Sequence, residues 1–180
     1  MWRITLLVTM LIALTLTGCN QAAPNDEGSL NQPLAIEPEQ LISKEEAEEI
    51  LGEAVKDGKK SEQPAVGQKI CFYDLKDEDS AYFLQISISQ TELMTNTDQT
   101  AEDIYMSLKE GLIETAEQKE IDGVGDEYFF GTPGLHILKS GYYLCIAAGN
   151  TNDDRVQGYL EQAGALAVKN LENILDEAKK

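Results

Sequence analysis

Apolar and polar side chains alternate most clearly over residues 81–90. Tyr82, Leu84, Ile86 and Ile88 fall on one side, and Phe83, Gln85, Ser87 and Ser89 on the other. A period of two predicts a strand with one buried face. A partner strand is expected over residues 70–74, joined through a loop at 76–80. That loop sets Phe72 opposite Leu84 and Ile70 opposite Ile86, which sends Cys71 and Tyr73 to the less apolar face. A one-residue slip reverses this assignment. Further along, Tyr128, Phe129 and Phe130 follow a tight turn at Asp122, Gly123, Val124, Gly125 and Asp126. Thr132, Pro133 and Gly134 then turn the chain into residues 135–139, and Ser140 and Gly141 turn it into 142–148. A two-residue hairpin loop pairs Lys139 with Tyr142, Ile137 with Leu144 and Leu135 with Ile146. The same register puts His136 opposite Cys145 on the other face, beside the Leu138 and Tyr143 pair.

Helical spacing marks three other stretches. Ser43 with Glu46 is a capping box, Ile42 can staple over Ala47, Ile50 and Leu51 complete an apolar face, and Gly52 stops the helix. Ala101, Ile104, Tyr105, Leu108 and Leu112 predict a second amphipathic helix. A third and longer one is capped by Asn152 or Asp153. Its stripe runs through Val156, Leu160, Ala163, Ala167, Leu171 and Ile174, and Gly164 permits close approach. The polar stretch around Asp57, Gly58, Lys59 and Lys60 reads as a solvated loop. The order is helix, two strands, helix, three strands, helix. It predicts an α+β fold: an antiparallel sheet of about five strands with the helices gathered on one face.

The apolar residues at the start have no such period. Arg3 precedes a mostly apolar run from Ile4 to Leu16, and Leu16, Thr17 and Gly18 lead to Cys19. The run is about thirteen residues, short of the roughly 20 needed to span a bilayer as a helix. It resembles the signal peptide and lipobox of bacterial lipoproteins. The resemblance implies cleavage before Cys19, lipidation of its thiol, and a chain held at a cell membrane or outer membrane, facing away from the cytoplasm. Asn20 is not the Asp that resembles an inner-membrane retention signal. Residues 19–40, with Pro24, Pro33 and Pro38 and little apolar surface, then read as a flexible linker, on the order of 25 Å from end to end. Residues 41–180 are expected to form one domain.

Once residues 1–18 leave, 13 basic residues face 32 acidic ones, a net charge of −19. Such a surface repels phosphate backbones and argues against nucleic acid as a partner. Trp2, the only tryptophan, leaves with the signal, so stacking platforms must come from Tyr and Phe.

With Cys19 lipidated, Cys71 and Cys145 remain. The expected registers place both on the less apolar face, where they could bridge if their strands are neighbours, in the strand order 2-1-5-4-3. A bridge closing about 75 residues would stabilise by roughly 2–4 kcal/mol. Two separate buried thiols are the alternative, and a third is a reactive Cys145 with His136 as its base. Metal ligation is poorly supported. Asn150, Asn152, Asp154 and Glu161 mimic calcium-loop spacing, but Arg155 stands where the turn needs Gly. Asp77, Glu78 and Asp79 form only an acidic tip. No cofactor motif, nucleophile elbow or zinc set is present in the sequence.

Across most of the mature chain the sequence resembles uncharacterised bacterial secreted lipoproteins of small α+β type. The residues that carry this are 41–47, Leu51 and Gly52, Cys71, Phe72 and Tyr73, 123–126 and the Ala-rich closing helix. The resemblance implies a fold and an address, and no catalytic residue comes with it. The expectation is a non-catalytic domain that binds an envelope protein or a small ligand. The alternatives are a structural or assembly accessory of an envelope complex and, less favoured, a thiol enzyme using Cys145 and His136.

Overall fold

The computed structural model describes residues 34–77, 79–112 and 123–180. The expected signal peptide, Cys19, the linker up to residue 33, Glu78 and Asp122 lie outside them. The chain forms α1 (Pro38–Leu41), α2 (Lys44–Leu51), β1 (Lys59–Gln63), β2 (Gln68–Asp74), β3 (Phe83–Ser89), α3 (Ala101–Leu112), β4 (Glu127–Gly131), β5 (Gly134–Lys139), β6 (Tyr142–Ala147) and α4 (Asp154–Glu177). The fold is α+β, with an antiparallel sheet ordered β1-β2-β3-β6-β5-β4. Among the described residues no helix is long and apolar enough to cross a membrane.

Local signals form the elements they predict. The Ser43 Oγ accepts the Glu46 amide at 3.3 Å while Glu46 Oε2 accepts the Ser43 amide at 2.7 Å, closing the capping box of α2. Gly52 ends that helix in the left-handed region, at φ 70°. Ser140 and Gly141 both take positive φ, as a tight two-residue hairpin requires. Lys139 pairs with Tyr142, Ile137 with Leu144 and His136 with Cys145. Asp153 caps α4 by accepting the Arg155 amide at 2.8 Å. A Cβ at Gly164 would stand 2.6 Å from Leu135 Cδ2, so glycine lets α4 lie close against β5.

Non-local features depart from expectation in four ways. First, β1 is an added sixth strand, where the sequence reads as a loop. All five of its residues are exposed, so no buried face imposes alternation on them. Second, β2 and β3 are slipped by one residue: Tyr73 pairs with Leu84 and Cys71 with Ile86. The connection is longer than expected because β2 stops at Asp74 and Leu75 bridges to Val55 instead. Cys71 and Tyr73 thereby enter the aliphatic core, while Phe72 and Ile70 move to the other face.

Third, β6 pairs with β3 and not with β2. The expected 2-1-5-4-3 order is replaced, because β2 spends its second edge on β1. Fourth, the helices are not all on one face. Helices α1, α2 and α4 cover Leu84, Ile86, Leu135, Ile137, Leu144 and Ile146. Helix α3 lies across the opposite face, where Ala101 and Tyr105 pack with Phe129, Leu138, Tyr143 and Cys145. Strands β4–β6 are apolar on both faces, and one layer of helix cannot cover both.

The fold also takes in residues 36–40, assigned by sequence to the linker. Ile36 is fully buried. Its amide donates to Gln90 Oε1 at 2.8 Å and its carbonyl accepts from Gln90 Nε2 at 2.9 Å. The buried Gln90 side chain does for this segment what a neighbouring strand would do. Asn170 Nδ2 donates to the Leu41 carbonyl at 2.9 Å, and the Tyr73 hydroxyl to that of Ile42 at 2.9 Å. Gln90→Ala strands two buried backbone groups and is expected to lower stability by about 2–4 kcal/mol in urea unfolding, with faster amide exchange at Ile36. Unchanged stability and exchange would remove Gln90 from this role.

Candidate functional site

The two described cysteines are free and buried. Cys71 faces the aliphatic core opposite Ile86, whereas Cys145 pairs with Ser87 and faces α3. Strand β3 stands between them. Two strand spacings amount to about 10 Å, and the side chains point to opposite faces, so the expected Cys71–Cys145 disulfide is geometrically closed off.

The register does bring His136 and Cys145 opposite each other, inside a buried aromatic group. His136 stacks on Phe129 at 4.5 Å between centroids with 4° between planes, and Tyr143 continues the row at 6.0 Å and 7°. Tyr105 of α3 tilts against both Phe129 and Tyr143. His136 Nε2 lies 3.3 Å from the Thr132 carbonyl and Nδ1 lies 2.8 Å from the Tyr143 hydroxyl. A carbonyl only accepts, so Nε2 carries the proton and donates it to Thr132. Nδ1 of the neutral ring then accepts from Tyr143.

Burial sets the protonation states here. It lowers the His136 pKa, against smaller opposing effects of the backbone bonds, and it pushes the Cys145 thiol up to about 11. A reactive thiol needs the opposite shift. In this arrangement Tyr143 and Thr132 engage the imidazole, and burial disfavours the thiolate of Cys145. Two hydroxyls of the same face, those of Ser89 and Tyr105, are buried without a hydrogen-bond partner among the described residues.

Other sequence candidates are spent on local structure. Asn150 Oδ1 accepts the Asn152 amide at 3.1 Å, Asp154 opens α4 and Glu161 lies within it. Asp77 Oδ1 accepts the Asp79 amide at 3.1 Å. Among the described residues no three His, Cys, Asp or Glu side chains converge as a metal site.

Among the described residues the surface carries clefts that no sequence motif marks. One of about 270 Å³, beside Ala35 and Leu93, is edged by Glu62 and Lys69. Lys69 is held there by Glu37 and Glu62. A second, of about 400 Å³, lies between Lys139 and the end of α4 at Glu172, Asp176 and Lys179. Lys139 bridges Asp126 at 3.2 Å and Glu172 at 2.7 Å. A third, of about 260 Å³, is lined by Phe83, Thr132, Pro133, Gly149, Asn150 and Thr151. Its residues come from the start of β3 and from two separate connections, so no spacing in the sequence announces it.

Two outcomes follow from the buried group. His136 has a folded pKa below its unfolded value, so its contribution is fully present above about pH 6.5 and is lost as pH falls below that toward the folded pKa. Over that window one proton makes stability fall by up to about 1.4 kcal/mol per pH unit. Urea unfolding between pH 7 and 5 is expected to show this slope in the wild type and to lose it in His136→Phe. An identical slope in both would rule out burial of a neutral His136. Tyr105→Phe removes a buried hydroxyl that has no partner among the described residues, and is expected to leave stability unchanged or raise it by up to about 1 kcal/mol. A loss above about 1 kcal/mol in the same assay would show that the hydroxyl is bonded.

No protein-family model matches the chain, and no curated protein or solved structure matches it either.

Proposed function

We propose that the protein is a lipid-anchored lipoprotein of the cell envelope, facing outside the cytoplasm, whose α+β domain binds a protein or small ligand without catalysing a reaction on it. The address rests on the apolar run ending in Leu16, Thr17, Gly18 and Cys19. The observation that carries the non-catalytic reading is the state of the one chemically suggestive pair. Cys145 is buried with its thiol pKa raised, and both nitrogens of the buried His136 are bonded to Tyr143 and Thr132.

Among the described residues Ile36 is the first that is fully buried, and Cys19 lies 17 positions before it in the sequence, a span we read as a short tether. An acidic domain on such a tether is repelled by anionic headgroups and held clear of the lipid surface. Two or more acyl chains are enough for a stable hold, at about 0.8 kcal/mol per buried CH₂.

Mass analysis of protein from its own membranes is expected to find residues 1–18 removed and acyl mass on Cys19. Cys19→Ala is expected to lose that mass and retain the leader. An unmodified Cys19 in membrane-derived wild-type protein would overturn the address.

A further inference from the structure

The third cleft differs from the other two in charge. About a quarter of the chain is Asp, Glu, Lys or Arg, yet none of the six lining residues is ionisable. Asp153 and Arg155, close by in sequence, are engaged with Tyr82. Asp153 accepts its hydroxyl at 3.2 Å, and the Arg155 guanidinium lies 5.5 Å from its ring. A neutral lining in so acidic a protein selects against both cations and anions, because each would have to shed water without gaining a counter-charge.

The lining combines an apolar face with neutral hydrogen-bonding groups. Phe83 is held by stacking on Phe72, with centroids 5.1 Å apart and 27° between planes, and Pro133 forms a wall beside it. The hydroxyls of Thr132 and Thr151 make no hydrogen bond among the described residues. Asn150 Oδ1 is taken by the Asn152 amide, which orients the carboxamide and leaves its N–H donors without a partner among the described residues.

Glycine builds both sides. A Cβ at Gly134 would fall 1.9 Å from the Ile146 carbonyl oxygen, so only glycine lets the turn bearing Thr132 and Pro133 settle on β6. Gly149, at φ 132°, redirects the chain after β6 and sets Asn150 and Thr151 on the facing side.

We propose that this cleft binds a neutral carbohydrate, with one ring stacked on Phe83 and Pro133 and its hydroxyls bonded to Thr132, Asn150 and Thr151. The C–H face of a sugar ring matches the aromatic floor, and its hydroxyls both donate and accept, as the rim does. The volume of about 260 Å³ is small for a ligand pocket and suits a single ring better than a peptide. The proposal rests on the reading of the domain as a binding module.

The test is saturation-transfer NMR on the full chain purified from membranes in detergent. Glucose and N-acetylglucosamine serve as probes, and glucuronate as the charged control. Transfer to the ring protons of at least one neutral sugar is expected, falling at least about fivefold in Phe83→Ala and in Asn150→Ala and unchanged in Glu172→Gln at the second cleft. Asn150 is exposed, so its variant keeps the test open if Phe83→Ala fails to fold. No transfer from folded wild-type protein, transfer undiminished in both cleft variants, or equal transfer to glucuronate would each overturn the site. Acylated Cys19 and a crosslinked envelope partner in the same preparation would then show that the carbohydrate site had failed while the reading of an anchored binding module stood.

Discussion

The antiparallel pairing of β3 with β6 holds the domain together. It joins β1-β2-β3 to β6-β5-β4, bringing residues nearly sixty positions apart into register, Ile86 against Ile146 and Ser87 against Cys145. Because side chains alternate with a period of two, this one register makes Leu84, Ile86, Ile88, Leu144 and Ile146 a continuous aliphatic floor for α4. It also gathers Ser87, Ser89, Tyr143 and Cys145 on the reverse. The Ser87 hydroxyl reinforces the seam by donating to the Cys145 carbonyl at 3.2 Å.

The two faces that follow from that seam differ in kind. The α4 face is aliphatic and closed by seven buried residues of one long helix, together with the N-terminal segment held by Gln90, Tyr73 and Asn170. The α3 face is aromatic and polar, and α3 contributes only two fully buried residues to it. Hydrophobic burial therefore stabilises the first face chiefly, while the second depends on ring stacking and on the His136 bonds to Tyr143 and Thr132. Opening is expected to begin at the face with less apolar area to expose.

Function on such a scaffold comes from where its connections meet. The Thr132 carbonyl that accepts from His136 belongs to the turn that walls the neutral cleft, so the buried stack also steadies one side of the proposed binding surface. At the other two clefts the lysines are held in ion pairs, Lys139 between Asp126 and Glu172 and Lys69 between Glu37 and Glu62. This leaves the neutral cleft chemically distinct on an acidic molecule.

What the sequence determined by itself is what short-range physics writes: the Ser43 and Glu46 capping box, the Ser140 and Gly141 turn with its register, and the apolar stripe of α4. Each is set by residues within a few turns or one hairpin of each other. The tertiary structure alone decided the rest. β1 carries no period because neither of its faces is buried. The slip of β2 hung on Leu75 bridging to the distant Val55. The separation of Cys71 from Cys145 followed from β3 lying between their strands. The side taken by α3 depended on Phe129, Leu138 and Tyr143 needing cover on a second face, and the cleft at Phe83 exists only where the start of β3 meets two connections. Such choices compare long-range partners with one another, and a local pattern holds no record of which partner wins.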